Sequence, residues 1–418
     1  MQKTEKYDQG DIGLQRTNTP SLCENSKSKK EKPGRRQKAK PTEIIDADQI
    51  KLTISHFFPG NLLNQWIAEI HDPRVDDMCT YKCGHLIWLG ILMFLFRLKS
   101  RCQLNQERQT EVFLNNLVNL SNTYEKQVAS PDSMNYLLEQ LDPLEIETVK
   151  VKMVKQLIKD KRLDAFRLNG EFRIAIDGTG VFSSSNQHCE CCLKTTHSSG
   201  AVTWSHKMLE AKLVAENGFA MSVCSEAIEN ENGIYDKQDC ELKAFYRMEQ
   251  RLKTYFPRTP ICLLLDGIYA CREVFKICER NNWSYITVLK SGRIPTLFQK
   301  ALKKQKLHPQ NLLELKINKD IEQKLSWVYN LEHKSHALHV IFCEETKISK
   351  GKSVTTYWCW VTNIRPNAKN ISELANKGGR QRWKIENQGF KEQKRHEFEL
   401  EHMYSEKTHA WKSYYQLL

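Results

Sequence analysis

Apolar residues recur at helical spacing through the first third of the chain, from residue 44 to residue 165. Leu62, Ile67 and Ile70 follow such a pattern. The longest apolar run, 86–96, is about half of the roughly 20 residues that a bilayer span needs, so it predicts a buried helix and no membrane partner. Ser130-Pro131 is a helix start with proline just inside it. We therefore predict an α-helical N-terminal domain over 44–165.

The pattern changes to strands after residue 166. An apolar run at 172–176 ends in Asp177-Gly178, and a second at 261–265 ends in Asp266-Gly267. Asn217-Gly218 separates two further strand-like runs, which predicts a hairpin over 207–225. Helical segments follow at 239–253 and 270–281, with a strand at 285–289. Three strands, helix, strand, helix, strand is the order of an RNase H-like α/β fold with a mixed sheet.

The rest of the chain predicts an interruption and then a return to helix. Strand-like runs at 325–329, 337–344 and 355–362 have no helix between them, so 312–365 is interpreted as a β-rich insertion. The first part of the core is then 166–311, including a Cys/His-rich loop at 188–206. The polar, helical segment 366–418 is the C-terminal part of that core.

The net charge of the chain indicates what kind of molecule it binds. The formal net charge is +13, from 63 Lys and Arg against 50 Asp and Glu. A surplus of this kind favours a polyanionic partner such as DNA, since each neutralised phosphate releases counterions. Eight basic residues between Lys27 and Lys40 make 1–43 a disordered basic arm, either a solvated tail or an arm that tracks phosphates.

The fourteen cysteines lie mostly in apolar segments, where a reduced thiol behaves as a small hydrophobe. The polar first 34 residues hold no apolar signal segment. A reducing cytoplasmic location, associated with the nucleoid, is therefore expected.

The two Asp-Gly pairs are the first candidates for chemistry. Ligands of open α/β sheets collect at the carboxyl ends of strands, where Asp177 and Asp266 are predicted to lie. Two neighbouring carboxylates resist joint ionisation unless a cation lies between them. Mg²⁺ prefers such oxygen ligands, and a pair of ions activates the attacking oxygen and stabilises the leaving one in phosphoryl transfer. A strand-ending Asp-Gly can also be a simple turn.

A family resemblance supplies the third acid. The segment 379–391 contains Arg382-x-x-x-Glu386, which resembles the signature around the catalytic Glu of IS4-like DDE transposases of bacterial insertion sequences. The resemblance spans roughly residues 80–410 and includes four further motifs, namely Asp177-Gly178-Thr179, the run 264–269, Lys237-Gln238-Asp239-Cys240-Glu241 and Leu289-Lys290-Ser291-Gly292-Arg293. The departures are Gly379, where the signature has Tyr, and Gln393, where it has Lys.

The resemblance implies a DNA transposase that cleaves element ends and joins the resulting 3′-OH to target DNA. Its catalytic and metal-binding residues would be Asp177, Asp266 and Glu386, with two Mg²⁺ or Mn²⁺ ions. Double-stranded DNA, comprising terminal repeats and target, would be the partner of a homodimer that joins two ends, with the helical domain recognising the repeats. The candidate DNA-binding residues are Arg382, Lys290, Arg293, Arg380, Trp383, Lys391 and Lys394, the last two as replacements for the missing Lys.

A second cluster suggests a structural metal. Cys189 and Cys192 form a C-x-x-C, whose thiolates suit Zn²⁺. The candidate set is His188, Cys189, Cys192 and His197, with Cys191 and His206 as alternative ligands. Reduced thiols on a surface loop are the other interpretation.

Two rival functions remain open. One is an RNase H-like, metal-dependent DNA nuclease without strand transfer. The other is an inactive or truncated transposase that acts as a zinc-stabilised DNA-binding protein.

Overall fold

A computed structural model describes residues 47–231, 235, 237–349, 352–395 and 398–418. The predicted basic arm, 1–43, lies outside the described residues. Helices fill the predicted N-terminal domain. Their bounds are α1 Ala47–Phe57, α2 Leu62–Ala68, α3 Cys83–Leu95, α4 Arg101–Glu107, α5 Glu111–Ser121, α6 Pro131–Gln140 and α7 Pro143–Lys159.

The helix starts follow local chemistry. Ser100, Thr110 and Ser130 each accept a hydrogen bond from the backbone N–H three residues on, as N-caps do. Pro131 occupies the first turn after Ser130, as predicted. The apolar run 86–96 forms α3, whose Leu86, Leu89 and Leu92 are fully buried. Among the described residues, no helix combines the length and the apolarity that crossing a membrane requires.

Among the described residues, a mixed sheet of eleven strands forms the second layer. The strands are β1 Arg167–Leu168, β2 Glu171–Ser184, β3 Leu193–Thr196, β4 Val202–Val214, β5 Ala220–Ile228, β6 Ile261–Leu265, β7 Ser284–Val288, β8 Leu312–Asn318, β9 Ile321–His333, β10 His336–Ser349 and β11 Lys352–Thr362. β2 pairs antiparallel with β4 and parallel with β6, and β6 pairs parallel with β7. β5 pairs antiparallel with β4, across the predicted Asn217-Gly218 turn.

One sequence expectation needs correction here. β2 does not end at Asp177 but continues to Ser184, paired with β4 across a register shift between Gly180 and Phe182, so Asp177 lies inside a strand. The segment predicted as a β-rich insertion, 312–365, holds β8–β11, which extend the same sheet because β11 pairs with β7 through Trp360↔Val288. Alternating polarity identified strands in this segment but carried no information on where they would pair.

Helices cover both faces of the central strands. One face packs against α7 and three helices of the core, α8 Glu241–Tyr255, α9 Arg272–Asn281 and α10 Pro295–Leu307. The other face packs against the irregular helical segment 371–394 through Ile371, Leu374, Ile385 and Phe390. That segment consists of α11 Ile371–Glu373, a π-turn Leu374–Gly378, a 3₁₀ turn Gly379–Gln381, a π-turn Ile385–Phe390 and α12 Lys391–Lys394.

The last helix, α13 Thr408–Leu417, returns to the helical domain. Its Ala410 and Tyr414 belong to the same apolar core as α3 and α6. Two carboxylates buried beside α13 are held by dense hydrogen bonding. Tyr415 Oη donates to Glu210 Oε2 (2.6 Å), and Gln416 Nε2 donates to Glu147 Oε2 (3.2 Å). The helical domain, the sheet and the C-terminal helix are therefore tied by both apolar and polar contacts.

Candidate active site

The register of β2 and β6 brings Asp177 and Asp266 together. The parallel pairing ends with Ile176 opposite Leu265, so the two aspartates follow at the same level on adjacent strands. Ala175 and Leu264 belong to the apolar layer under the C-terminal segment. Asp177 and Asp266 each come two residues after one of these apolar residues. Because side chains alternate along a strand, both aspartates point to the face that the C-terminal segment covers. The predicted pair is thus adjacent, although only β6 ends there.

Arg382 enters this site from the C-terminal segment. Its Nη1 donates to Asp177 Oδ2 at 2.8 Å, and the Arg382 side chain is only 9% exposed. Two glycines just before it allow the segment to approach the sheet. A Cβ on Gly378 would lie 2.4 Å from Ile286 Cδ1, and one on Gly379 would lie 2.5 Å from the Trp360 ring. The Trp360 indole therefore occupies the space that a side chain at position 379 would need.

Glu241 is a further acid near this site, and the sequence analysis named it only as the end of the motif Lys237-Gln238-Asp239-Cys240-Glu241, without a role. It opens α8, on the opposite side of the sheet from Arg382, and its carboxylate lies against Gly178. A Cβ at position 178 would be 2.6 Å from Glu241 Oε1, so glycine after Asp177 makes room for this carboxylate. The sequence did contain a signal for this acid. The helix predicted over 239–253 precedes the strand that leads to Asp266, and it has a Glu in its first turn.

Burial and neighbouring charges raise the pKa values of Asp177 and Glu241. Burial raises the pKa of Asp177, the neighbouring Asp266 charge raises it further, and Arg382 opposes both. Burial likewise raises the pKa of Glu241, with added repulsion from Asp177 and Asp266. The raised pKa of each carboxyl thus follows first from loss of solvation on burial and then from repulsion by the neighbouring acids.

Asp266 has an unsatisfied oxygen. Its Oδ1 is buried and accepts no hydrogen bond from the described residues, and the nearest cation, Lys290 Nζ, is 4.0 Å away. A buried carboxylate oxygen without a donor is costly in a protein unless an ion or water pairs with it. Asp177 and Asp266 therefore offer the carboxylate oxygens that a divalent cation prefers. Glu241 lies near enough to repel both aspartates electrostatically, although within the described ranges the oxygens of these three acids do not all come within 4.8 Å of one another.

Glu386 lies on the π-turn Ile385–Phe390 and is exposed. Its neighbours Ile385 and Phe390 pack on the sheet face to which the aspartates point, so this turn is on the correct side. Within the described ranges, however, the carboxylate oxygens of Asp177, Asp266 and Glu386 do not all come within 4.8 Å of one another.

The candidate DNA-binding residues fall into two groups. Lys290, Trp383 and Lys391 present exposed side chains near the carboxylates or on the segment that carries Glu386. Arg293 is exposed as well, and it donates to the backbone oxygen of Ile268 at 2.8 Å. These four side chains are accessible to a phosphate or a base.

Arg380 and Lys394 are engaged within the protein. Arg380 forms an ion pair with Glu345 and lies over the Trp358 ring, 4.5 Å from its centroid. Lys394 pairs with Glu401 at 2.8 Å. At the position of the missing signature Lys, Gln393 Oε1 instead accepts a hydrogen bond from Lys212 Nζ, 2.9 Å away. Burial lowers the pKa of Lys212.

The Cys/His loop brings together a different set from the predicted one. Cys189 and Cys192 lie against His206, whereas His197 Nε2 lies 2.8 Å from Thr203 Oγ1 on the β3–β4 hairpin. Burial lowers the pKa of His206 to about 4. His188 lies beside Phe182 and 3.7 Å from Glu406. Periodicity could not distinguish His206 from His197, because that choice depends on the register of β4.

Comparison of the chain with protein-family models and with curated proteins found no match.

Proposed function

We propose that this protein is a DDE-type DNA transposase with an RNase H-like catalytic core, acting on element ends and then on target DNA. One observation carries the proposal. The parallel register of β2 and β6 sets Asp177 and Asp266 side by side, and Arg382 of the Arg382-x-x-x-Glu386 segment binds Asp177 directly. Two motifs far apart in the sequence thus meet in one acidic cluster.

The strand order supports the core assignment. The five central strands run β5-β4-β2-β6-β7, with two antiparallel pairings followed by two parallel ones. Helices α8 and α9 connect β5 to β6 and β6 to β7. This is the arrangement that the order of three strands, helix, strand, helix, strand implies for an RNase H-like fold.

Divalent ions fit the cluster. Asp266 Oδ1 accepts no hydrogen bond from the described residues, and burial together with repulsion between the acids raises the pKa values of Asp177 and Glu241, so Mg²⁺ or Mn²⁺ would stabilise the ionised carboxylates. Asp177 and Asp266 would hold the ions, with Glu386 as the third ligand and Glu241 adding charge from the other side. Bound there, two such ions supply an activated nucleophilic oxygen and stabilise the leaving oxygen.

The protein's own side chains orient the carboxylates and the DNA. Arg382 fixes one oxygen of Asp177, and the backbone N–H of Gly178 donates to the other at 3.1 Å. The Lys290 ammonium beside Asp266 and the exposed Lys391 are suited to backbone phosphates, which position DNA without reading its sequence. Trp383 offers an exposed ring for stacking on a base.

Two element ends must be joined, so we propose that a homodimer assembles on double-stranded DNA. Recognition of the terminal repeats is assigned to the helical domain α1–α7. The activity implies work on chromosomal DNA, at the nucleoid of a bacterial cytoplasm.

The first test is cleavage of a supercoiled plasmid that carries the element's ends, with Mg²⁺, with Mn²⁺ and with chelator. We expect metal-dependent cutting by the wild type, and its loss in Asp177→Asn, Asp266→Asn and Glu386→Gln. The matched control is Glu373→Gln, an exposed acid of the same C-terminal segment that pairs with Lys377. DNA binding, measured by fluorescence anisotropy, should persist in every variant.

The outcomes separate the rival functions. Joining of a pre-cut 3′-OH end to a second plasmid supports a transposase, whereas cutting without joining indicates a nuclease. A wild type that binds DNA but never cuts indicates a DNA-binding protein. Cutting by Glu386→Gln but not by Glu241→Gln would move the third metal ligand from the C-terminal segment to α8.

A further inference from the structure

A compact cluster of three metal-ligating atoms lies apart from the acidic site. Cys189 and Cys192 come from the loop between β2 and β3, and His206 comes from β4. The two sulfurs are 3.6 Å apart, and His206 Nε2 is 3.2 Å from Cys189 Sγ and 3.3 Å from Cys192 Sγ. The described residues contain no other Cys, His, Asp and Glu group of this compactness.

These separations match those of a tetrahedral zinc site. With Zn–S distances of about 2.3 Å and Zn–N distances of about 2.0–2.1 Å, tetrahedral angles set the sulfurs about 3.8 Å apart. The same geometry sets each sulfur about 3.6 Å from the nitrogen. The observed triangle is smaller by a few tenths of an ångström, so binding an ion requires only a slight expansion.

The surroundings hold the three side chains in position. His206 is fully buried, and its ring lies between Phe182 and Trp411, whose ring centroids are 4.9 and 4.8 Å away. Asn230 anchors the loop backbone by donating through Nδ2 to Cys192 O at 2.9 Å. A cluster fixed by packing and by backbone hydrogen bonds is preorganised for an ion.

We propose that Cys189, Cys192 and His206 bind one Zn²⁺ ion as a structural site. Among the described residues no fourth side chain has its ligand atom within 4.8 Å of all three, so we assign the fourth position of the tetrahedral site to water. A disulfide between Cys189 and Cys192 is the competing use of the C-x-x-C, and it would leave the buried His206 Nε2 without the two thiolates as fellow ligands.

The position of this site indicates which parts of the fold a bound ion would hold together. The loop that carries the cysteines follows β2, the strand of Asp177, and His206 lies on the neighbouring β4. Trp411, which packs on the His206 ring, belongs to α13. One ion would therefore fix the loop after β2 to the β4 strand, under the helix that joins the sheet to the helical domain.

The test begins with the wild-type protein, so that it does not depend on the folding of any variant. Metal content after purification without chelator is measured by inductively coupled plasma mass spectrometry, and one zinc per chain is expected. Replacement of the zinc by Co²⁺ should give the intense visible bands and the thiolate charge-transfer band of tetrahedral coordination. Folded wild type without zinc, or with a Cys189–Cys192 disulfide in its mass spectrum, would overturn the proposal.

Variants then assign the ligands. Cys192→Ser and His206→Ala should weaken zinc binding, measured by competition with a chromophoric chelator. Loss of supporting contacts around zinc ligands alone costs about 10–100-fold in affinity, so loss of a ligand should cost at least about 100-fold. His197→Ala is the matched control on the same hairpin and should bind zinc as the wild type does. Equal binding by a folded His206→Ala protein would contradict the assignment.

Discussion

The approach of the C-terminal segment to the sheet depends on Gly379, and Gly379→Ala tests this dependence. The residue has φ −52° and ψ −39°, a helical conformation that alanine adopts easily. A Cβ there would lie 2.5 Å from Trp360 Cε2 and Nε1 and 2.8 Å from Cδ2. Trp360 is 1% exposed and belongs to the apolar layer beneath this segment, so its ring has little room to move.

Two opposing effects set the size of the change. Replacing Gly by Ala at a compatible backbone position stabilises by about 0.4–1 kcal/mol, because the unfolded chain loses freedom. Overpacking a dense core destabilises by about 1–3 kcal/mol. The clash involves three atoms of a rigid indole rather than the end of a flexible side chain. We therefore expect Gly379→Ala to lose about 1–2 kcal/mol of unfolding free energy.

Urea unfolding, followed by tryptophan fluorescence and by circular dichroism, measures the change as a shift in midpoint at constant slope. Gly292→Ala is the control, because a Cβ at Gly292 meets no atom within 4 Å. A double-mutant cycle with Trp360→Leu isolates the contact. In the Trp360→Leu background, the penalty of Gly379→Ala should disappear.

Two results would refute the clash with the indole. One is a Gly379→Ala protein as stable as the wild type. The other is an equal loss of stability from Gly379→Ala in the wild-type and Trp360→Leu backgrounds, since the clash would then lie elsewhere.

Two further predictions concern buried polar groups. Tyr415→Phe removes a 2.6 Å hydrogen bond to the buried Glu210 carboxylate, so it should lower the free energy of unfolding by about 1.5–3 kcal/mol. Urea unfolding measures this change, and an unchanged unfolding midpoint would contradict the role of the hydrogen bond. Burial lowers the pKa of His85 from 6.5 to about 4, so its contribution to stability is present above pH 6.5 and is lost as the pH falls towards 4. A His85→Phe protein should lose less stability than the wild type between pH 6.5 and 4, and an equal loss in both would contradict the assignment.

The sequence predicted most of the secondary structure because the local signals agreed with the packing. The apolar run 261–265 is β6, and Asn217-Gly218 forms the turn of the β4–β5 hairpin. Gly218 has φ +91°, a conformation that glycine adopts without strain. The sequence also predicted that Asp177 and Asp266 lie side by side, because each directly follows an apolar run. In the structure these two runs pair with each other in parallel at the centre of the sheet.

The features that the sequence did not predict depend on pairing and approach between distant segments. Nothing local indicates that β11 pairs with β7, or that His206 rather than His197 faces the cysteines. Glu241 reaches the site only because Gly178 leaves space beside it. The engagement of Arg380 by Glu345 likewise depends on strands far away in sequence.

The return of α13 to the helical domain has a consequence for synthesis on the ribosome. A Cβ on Gly90 of α3 would lie 2.6 Å from Leu417 Cδ1, so α13 fits closely into a site built by α3, α6 and α7. N-terminal domains generally fold first as the chain emerges. Here the apolar surface of α3 and α6 stays uncovered until the ribosome has made the whole sheet and then α13. The N-terminal domain is therefore covered only after the residues of the carboxylate site have been made, and a nascent chain released before α13 would carry those residues but leave α3 and α6 uncovered.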